Sequence, residues 1–466
     1  MPRSRVPAAW LLAFVMTACA VVARVAGAQT CLCGSAGDEF VAARAGLVRE
    51  WVVQIPFDSA GWRLSHVVIG RDLIVAQSGD GGVHAVQAST PVEGSVFNAR
   101  PGSVLWSQRV GHPGGPVQPA GVGQAVVTVA HDLDVDGFDA VTGRQLAQQQ
   151  AGHVASAAAV PAGNWAYVPL QGDGMLKLPA DPERLAAALL GAEGAEGRRR
   201  KGGDAAAERT VAAALEPLSL QTGGDIALPP QPFGGIPRRV ADAILWLTTS
   251  GKLVVLDDGP KGWERYELEF GAAPSGAPAV HGLTTFVATQ DATLTRVDLV
   301  RTAGFSTLQT AWATSLDDEP EGGPLLWRDT IVVSLGPSGL AAFSARTGAM
   351  LWRTPLVGRL LAIVGDRVWC HAETGRLTAL DLTTGGRRES LCTGCFTLPV
   401  VNAVTNKLVL ASPGGLLVSL ASSRLPAPEP VEAVAEPAAE DPAAEAAPDA
   451  ENPFVEEENA AADAGG

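Results

Sequence analysis

Only 18% of the 466 residues are charged. The body of the chain is nearly neutral, and nothing suggests the basic face that nucleic acid requires. There is no His-x-x-x-His pair, no His-Glu-x-x-His and no Gly-x-Ser-x-Gly elbow. A P-loop and a dinucleotide glycine fingerprint are also missing from any convincing setting, which removes the familiar signatures of metalloprotease, hydrolase and nucleotide chemistry. No two cysteines are adjacent. Beyond the N-terminus no apolar run approaches the roughly 20 residues of a membrane-spanning helix. From Leu425 to the end there is no Lys or Arg, but twelve Asp or Glu; the net charge of −15 therefore leaves about −3 for the rest. What the chain does have is 47% hydrophobic residues, 53 Gly and 33 Pro, the make-up of a turn-dense β protein with a large core.

The N-terminus reads as an export signal. Arg3 and Arg5 precede an apolar stretch from Ala8 to Val22, and Ala26-Gly27-Ala28 fits a cleavage site. Cleavage after Ala28 would start the mature chain at Gln29 and place it in the periplasm or cell envelope. The alternative is lipid attachment at Cys19, within Met16-Thr17-Ala18-Cys19.

A repeated phrase organises the remainder. Gly339 opens Gly-Leu-Ala-Ala-Phe-Ser-Ala-Arg-Thr-Gly-Ala-Met-Leu-Trp, and Gly375 opens Gly-Arg-Leu-Thr-Ala-Leu-Asp-Leu-Thr-Thr-Gly. Related units centre on Gly82, Asp132, Gly174, Gly251, Ala292 and Gly415. A period of roughly 40 residues made of short strands and turns marks a β-propeller blade. The sequence predicts eight blades, with seven as the second choice, over residues 49–424. Trp106, Trp263, Trp312 and Trp352 each open the strand after a phrase and are expected between blades. Trp51 has the same look but precedes the first phrase, whereas no such strand follows Gly415. The N-terminal strand is therefore expected to close the ring, which leaves no exposed sheet edge between last and first blades.

The stretch Ala342-Phe-Ser344-Ala-Arg-Thr-Gly348-Ala-Met-Leu-Trp352 resembles the Ala-x-Asp-x-x-x-Gly-x-x-x-Trp repeat of pyrroloquinoline-quinone-type propellers. Ala379-Leu-Asp381-Leu-Thr-Thr-Gly385 and Asp139-Ala-Val-Thr-Gly143 match its first half, with Glu389 and Ala147 where Trp is expected. That family includes quinoprotein dehydrogenases and non-catalytic periplasmic scaffolds such as the outer-membrane barrel-assembly lipoprotein. The resemblance implies the propeller fold. For the dehydrogenases it also implies a quinone, calcium-binding carboxylates and adjacent cysteines, and this chain has no Cys-Cys pair.

Other segments carry narrower expectations. Residues 29–48 form a lead-in containing Cys31-x-Cys33. Residues 181–224 read as an inserted, partly helical segment with the basic run Gly197-Arg-Arg-Arg-Lys-Gly-Gly203, and 425–466 as a disordered acidic tail. Asp132, Asp134 and Asp136 imitate the start of a calcium loop but lack its closing Glu, since Gly143 stands there. Cys31, Cys33, Cys370, Cys392 and Cys395 are disulfide candidates in an exported protein, with zinc as the alternative use of four thiolates. Cys392-Thr-Gly-Cys395-Phe396 is no haem site, because Phe replaces His. His84 and His371 read as core or surface histidines. No catalytic set or cofactor site emerges, so the expected role is a protein-binding scaffold whose partners are envelope or surface proteins. Quinone-dependent dehydrogenation and a thiol-redox or ligand-binding role are the alternatives.

Overall fold

The computed structural model describes residues 37–423, except 92–95, 173, 184–216, 223, 227, 230, 234–242, 260–261, 303–304, 356 and 373. The export signal, Cys19, Cys31, Cys33, the basic run and the acidic tail lie outside the described residues.

The strands form eight separate antiparallel sheets, seven of four strands and one of three. Each is a blade, with strands a to d running from the inside of the ring to its rim. Blade 1 comprises Leu64–Ile69, Leu73–Ser78, Gly82–Gln87 and Val104–Arg109. The remaining blades follow in chain order. In the last one, the bridge between Leu398 and Ala411 stands for strand a, followed by Lys407–Ala411 and Leu416–Ser422. Its strand d is Leu47–Gln54, the first strand of the chain, which pairs from Leu47 opposite Ser422 to Gln54 opposite Leu416. The ring therefore closes inside a blade, as the position of Trp51 requires.

Inner strands are buried on both faces: Leu73–Ser78, Gly82–Gln87 and Val126–His131 are buried at every residue. This explains their continuous apolar runs. The core is accordingly divided among the seams. One cluster joins Trp51, Ile74, Val86 and Leu417 across blades 8 and 1. Another joins Trp106, Val75, Val127 and Phe138 across blades 1 and 2.

Four tryptophans on outer strands tie each blade to the next. The indole N–H donates to a backbone carbonyl just beyond the neighbour's strand c: Trp51 to Ala88 at 3.1 Å, Trp106 to Ala140 at 3.0 Å, Trp312 to Ala345 at 3.1 Å and Trp352 to Leu382 at 2.7 Å. A bulge just before each Trp, as between Arg296 and Val297 opposite Trp312, turns the side chain into the seam.

The Asp of the repeated phrase has a local task. Asp381 Oδ1 accepts from the N–H groups of Thr383 and Thr384 at 3.0 Å each, closing the turn into Gly385. The hydrogen bonds from Thr383 and from Arg388 outweigh burial and hold the Asp381 carboxyl far below the usual range.

Two expectations need correction. Trp263 does not take the seam position. Strands Lys252–Gly259 and Gly262–Glu269 pair without a bulge, so Trp263 sits opposite Asp258 near the hairpin tip and Tyr266, opposite Val255, takes the Trp register. The Trp263 side chain is outside the described residues. The expected insertion 181–224 is also shorter, because Leu218–Leu220 is strand d of blade 3, paired to Met175–Lys177; its expected helices fall mostly outside the described residues.

The lead-in is structured from Gly37 onward. Asp38 caps a short helix, Glu39–Arg44, whose Ala42 joins Ala45, Leu361, Trp369, Phe396 and Leu408 in the seam between blades 7 and 8. That seam has no docking Trp, since Glu389 occupies the register position opposite Ala379.

Candidate functional site

The ring face that carries the b–c and d–a loops holds Asp80 and Asp132, both in b–c turns. Where blade 8 meets blade 1, a cleft of ≈ 380 Å³ is lined by Phe57, Asp58, Asp80, His84, Ser107 and Arg109, among others. Asp80 is buried at the b–c turn of blade 1. One carboxylate oxygen accepts from Ser78 Oγ at 2.5 Å and from the Gly82 N–H at 3.2 Å, and the other pairs with Arg109 at 3.2 Å. Burial opposes its ionisation, but the Ser78 and Gly82 hydrogen bonds and the Arg109 charge prevail and hold the carboxyl below its ordinary value.

His84 is 4% exposed. Its Nδ1 meets Ser107 Oγ at 2.9 Å, while Nε2 has no partner among the described residues. Burial lowers its pKa, and Asp80 only partly offsets this. The imidazole is therefore neutral near pH 7. A Ser–His contact exists, but no carboxylate accepts from the other ring nitrogen, so the relay of a serine hydrolase is not assembled. The cleft offers hydrogen bonds and one compensated ion pair.

The Asp132 region lies on the same face in blade 2 and is differently employed. Asp132 has a left-handed φ of 47° in the b–c turn, and its carboxylate is 3.5 Å from His112 and 3.6 Å from His131. Asp136, on strand c, spends both oxygens, one on His131 Nε2 and one on the Gln145 amide, each at 2.9 Å. The hydrogen bond that His131 donates to Asp136 raises the His131 pKa against its burial. This donor set does not fit the calcium that the enzyme branch of the resemblance implies. Among the described residues no group of three or more His, Cys, Asp or Glu could hold a metal.

Two sulfurs also depart from expectation. Cys370 and Cys395, expected among the disulfide candidates, are free thiols. Cys370 is fully buried in the core between blades 6 and 7 with Leu360, Val368 and Leu380, where burial pushes its thiol far above its ordinary value; strand pairing sets it opposite Thr378, and Cys392 opposite Arg376. Cys395 is exposed in the turn that follows Cys392. His371 has a buried Nε2 with no partner among the described residues, and burial lowers its pKa.

The Asp80–Arg109 and His131–Asp136 pairs were not anticipated. Each joins strands and turns that contact only in the folded blade. Tyr266 was not findable by counting, because its equivalence to Trp106 comes from pairing: Tyr266 faces Val255, four residues after Gly251, as Trp106 faces Ala85, four after Gly81.

Comparison with known proteins fits this geometry. Residues 305–420, from strand d of blade 5 into blade 8, match the family described as outer membrane protein assembly factor BamB. The fold is similar to that of BamB from Moraxella catarrhalis at 14% identity, with a TM-score of 0.56 over 82% of this chain and 99% of that one. It is also similar to the computationally designed Ika8 protein, at 12% identity with a TM-score of 0.53 over 80% of this chain and 99% of that one. At these identities the likeness establishes the eight-bladed propeller fold alone. No curated protein sequence matches the chain.

Proposed function

We propose that this protein is an exported, non-enzymatic propeller that serves as a protein-binding scaffold in the cell envelope. The observation that carries this reading is the match of residues 305–420 to an outer-membrane protein assembly factor. The build of the loop face agrees with it. Arg353, on strand d of blade 6, reaches Asp317 at 2.5 Å and Arg359, on strand a of blade 7, reaches Glu321 at 2.6 Å, tying both strands to the loop between blades 5 and 6. Such exposed pairs add little stability, but they restrain loops that a partner would otherwise have to order on binding. Function resides in that surface and not in the fold.

The test is photo-crosslinking in cells, from a probe at Arg109 on the loop face and a control probe at Met350 on the rim. Crosslinks to envelope proteins from the face but not the rim support the scaffold. Quinone- and calcium-dependent dye reduction by the purified protein, abolished by a chelator, would sink the non-enzyme reading.

A further inference from the structure

We infer that the cleft between blades 8 and 1 is a binding site for a neutral, polyhydroxylated ligand, a sugar residue held by His84, Arg109 and Asp58 against the Phe57 ring. The starting point is a buried nitrogen that the fold does not need. On strand Gly82–Gln87, Val83 and Ala85 face blade 2, so Gly82, His84 and Val86 face blade 8. His84 stands one residue before the strand c partner of the docking position. The equivalent residues are Leu176 in blade 3, Val254 in blade 4, Ala341 in blade 6 and Val418 in blade 8, all buried. An apolar side chain therefore suits this position. His84 brings instead an Nε2 with no partner among the described residues, a desolvation cost that packing alone does not explain.

The cleft gathers complementary groups around that nitrogen. Ser107 and Arg109 pair across to His84 and Gly82 and line the blade 1 side with them. A Cβ built on Gly82 would lie 2.7 Å from His84 Nε2 and 3.2 Å from Asp80 Oδ1, so a bare glycine keeps that corner clear. The other wall follows strand d of blade 8. Phe57 rests on the b–c turn of that blade, where a Cβ on Gly415 would lie 2.5 Å from its ring. Asp58 Oδ1 accepts from the Ala60 N–H at 3.1 Å, which leaves Oδ2 as an acceptor.

These groups select the class of ligand. An anion would meet the carboxylates of Asp58 and Asp80, and a cation would meet Arg109, which already neutralises Asp80. An extended peptide docks along an open sheet edge, whereas this cleft lies on the face of a paired sheet. Its ≈ 380 Å³ falls within the range of about 300–1,000 Å³ of small-molecule sites. Arg109 has N–H groups beyond the one on Asp80, Asp58 offers an acceptor, and the tautomer of His84 follows the Ser107 hydroxyl. A hydroxyl both donates and accepts, so adjacent hydroxyls match this mixed set, and Phe57 supplies an apolar wall for the C–H face of a sugar ring.

The test titrates purified full-length protein calorimetrically with glucose, galactose and N-acetylglucosamine, and pellets it with isolated cell-wall glycan. The two arms separate a free sugar from an envelope polymer. At least one should bind, with a dissociation constant of roughly millimolar or tighter. His84→Val should weaken binding by about ten-fold or more while the melting temperature stays equal or rises, because Val fills the same register in blades 4 and 8. Arg109→Gln, at an exposed side chain, should weaken it comparably, and Met350→Ala on the rim should not. The site is overturned if neither sugars nor glycan bind, if binding survives both cleft substitutions, or if His84→Val lowers the melting temperature as loss of a structural histidine would. The inference goes beyond the scaffold reading and is separable from it. Sugar binding without protein crosslinks from Arg109 upholds the site and counts against the scaffold, whereas crosslinks without sugar binding do the reverse.

Discussion

Trp312 and Gly348 touch across the seam between blades 5 and 6: a Cβ built on Gly348 would fall 2.7 Å from the indole. Gly348 also has a φ of 72°, so two constraints select glycine. The same pairing joins Trp51 to Gly102, Trp106 to Gly143 and Trp352 to Gly385. Gly348→Ala should cost about 1–3 kcal/mol from the left-handed backbone alone, and more as the ring is displaced. Chemical denaturation checks this, and an unchanged midpoint would contradict the pairing.

Among the described residues no such glycine contact is seen at the remaining seams. Blade 3 has the insertion between strands c and d, blade 8 has the chain termini there, and blades 4 and 5 have long hairpins. Their docking positions hold Ala147, Glu389, Leu218 and Tyr266. Ala147→Trp should therefore not restore a missing contact. It would overpack Gly137, Ala166 and Ala180, which line that seam with Ala147, at about 1–3 kcal/mol. A gain in melting temperature would refute this.

Ring closure depends on the first strand. Glu50 receives Lys407 Nζ and Ser419 Oγ, each at 2.9 Å, and Lys407 also reaches the Ala88 carbonyl that Trp51 uses. Removing residues 47–54 bares the apolar edge of Leu416–Ser422, and should lower the melting temperature far more than removing 425–466. Trp51→Ala alone should cost about 3–5 kcal/mol. Equal melting temperatures for the two truncations would count against closure.

His131 gives a pH signature. Its folded pKa is raised by Asp136 and Asp132, so its contribution is complete below the unfolded value of about 6.5 and is lost as pH rises through the folded value. His66, His84 and His371, lowered by burial, act in the opposite direction, losing stability as pH falls. The informative quantity is the stability of wild type minus His131→Gln at each pH. It should be about 1.5–3 kcal/mol near pH 6, as for a charged hydrogen bond, and should shrink toward pH 9. A difference that grows with pH would reverse the assignment.

The ring was legible because its parts recur at fixed spacing. Trp51 stood without a preceding phrase and Gly415 without a following strand, and one pairing answers both. Trp263 misled because it follows Gly251 at a plausible distance, whereas the register of an unbulged hairpin selects Tyr266. Asp132, Asp134 and Asp136 suggested a metal loop by spacing alone. Only the pairing of Val126–His131 with Asp134–Asp139 sets His131 where Asp136 can accept from it. The helix Glu39–Arg44 is six residues long, too short to announce itself by periodicity.

Pairing Gln54 with Leu416 also imposes an order in time. The first strand to be synthesised is the partner of the last. At ~5–20 residues per second, it waits on the order of tens of seconds before its neighbour exists. Throughout that interval Trp51 and Ile55 have no seam to enter, and blade 1 lacks one flank. Until Leu416–Ser422 has been made the ring stays open.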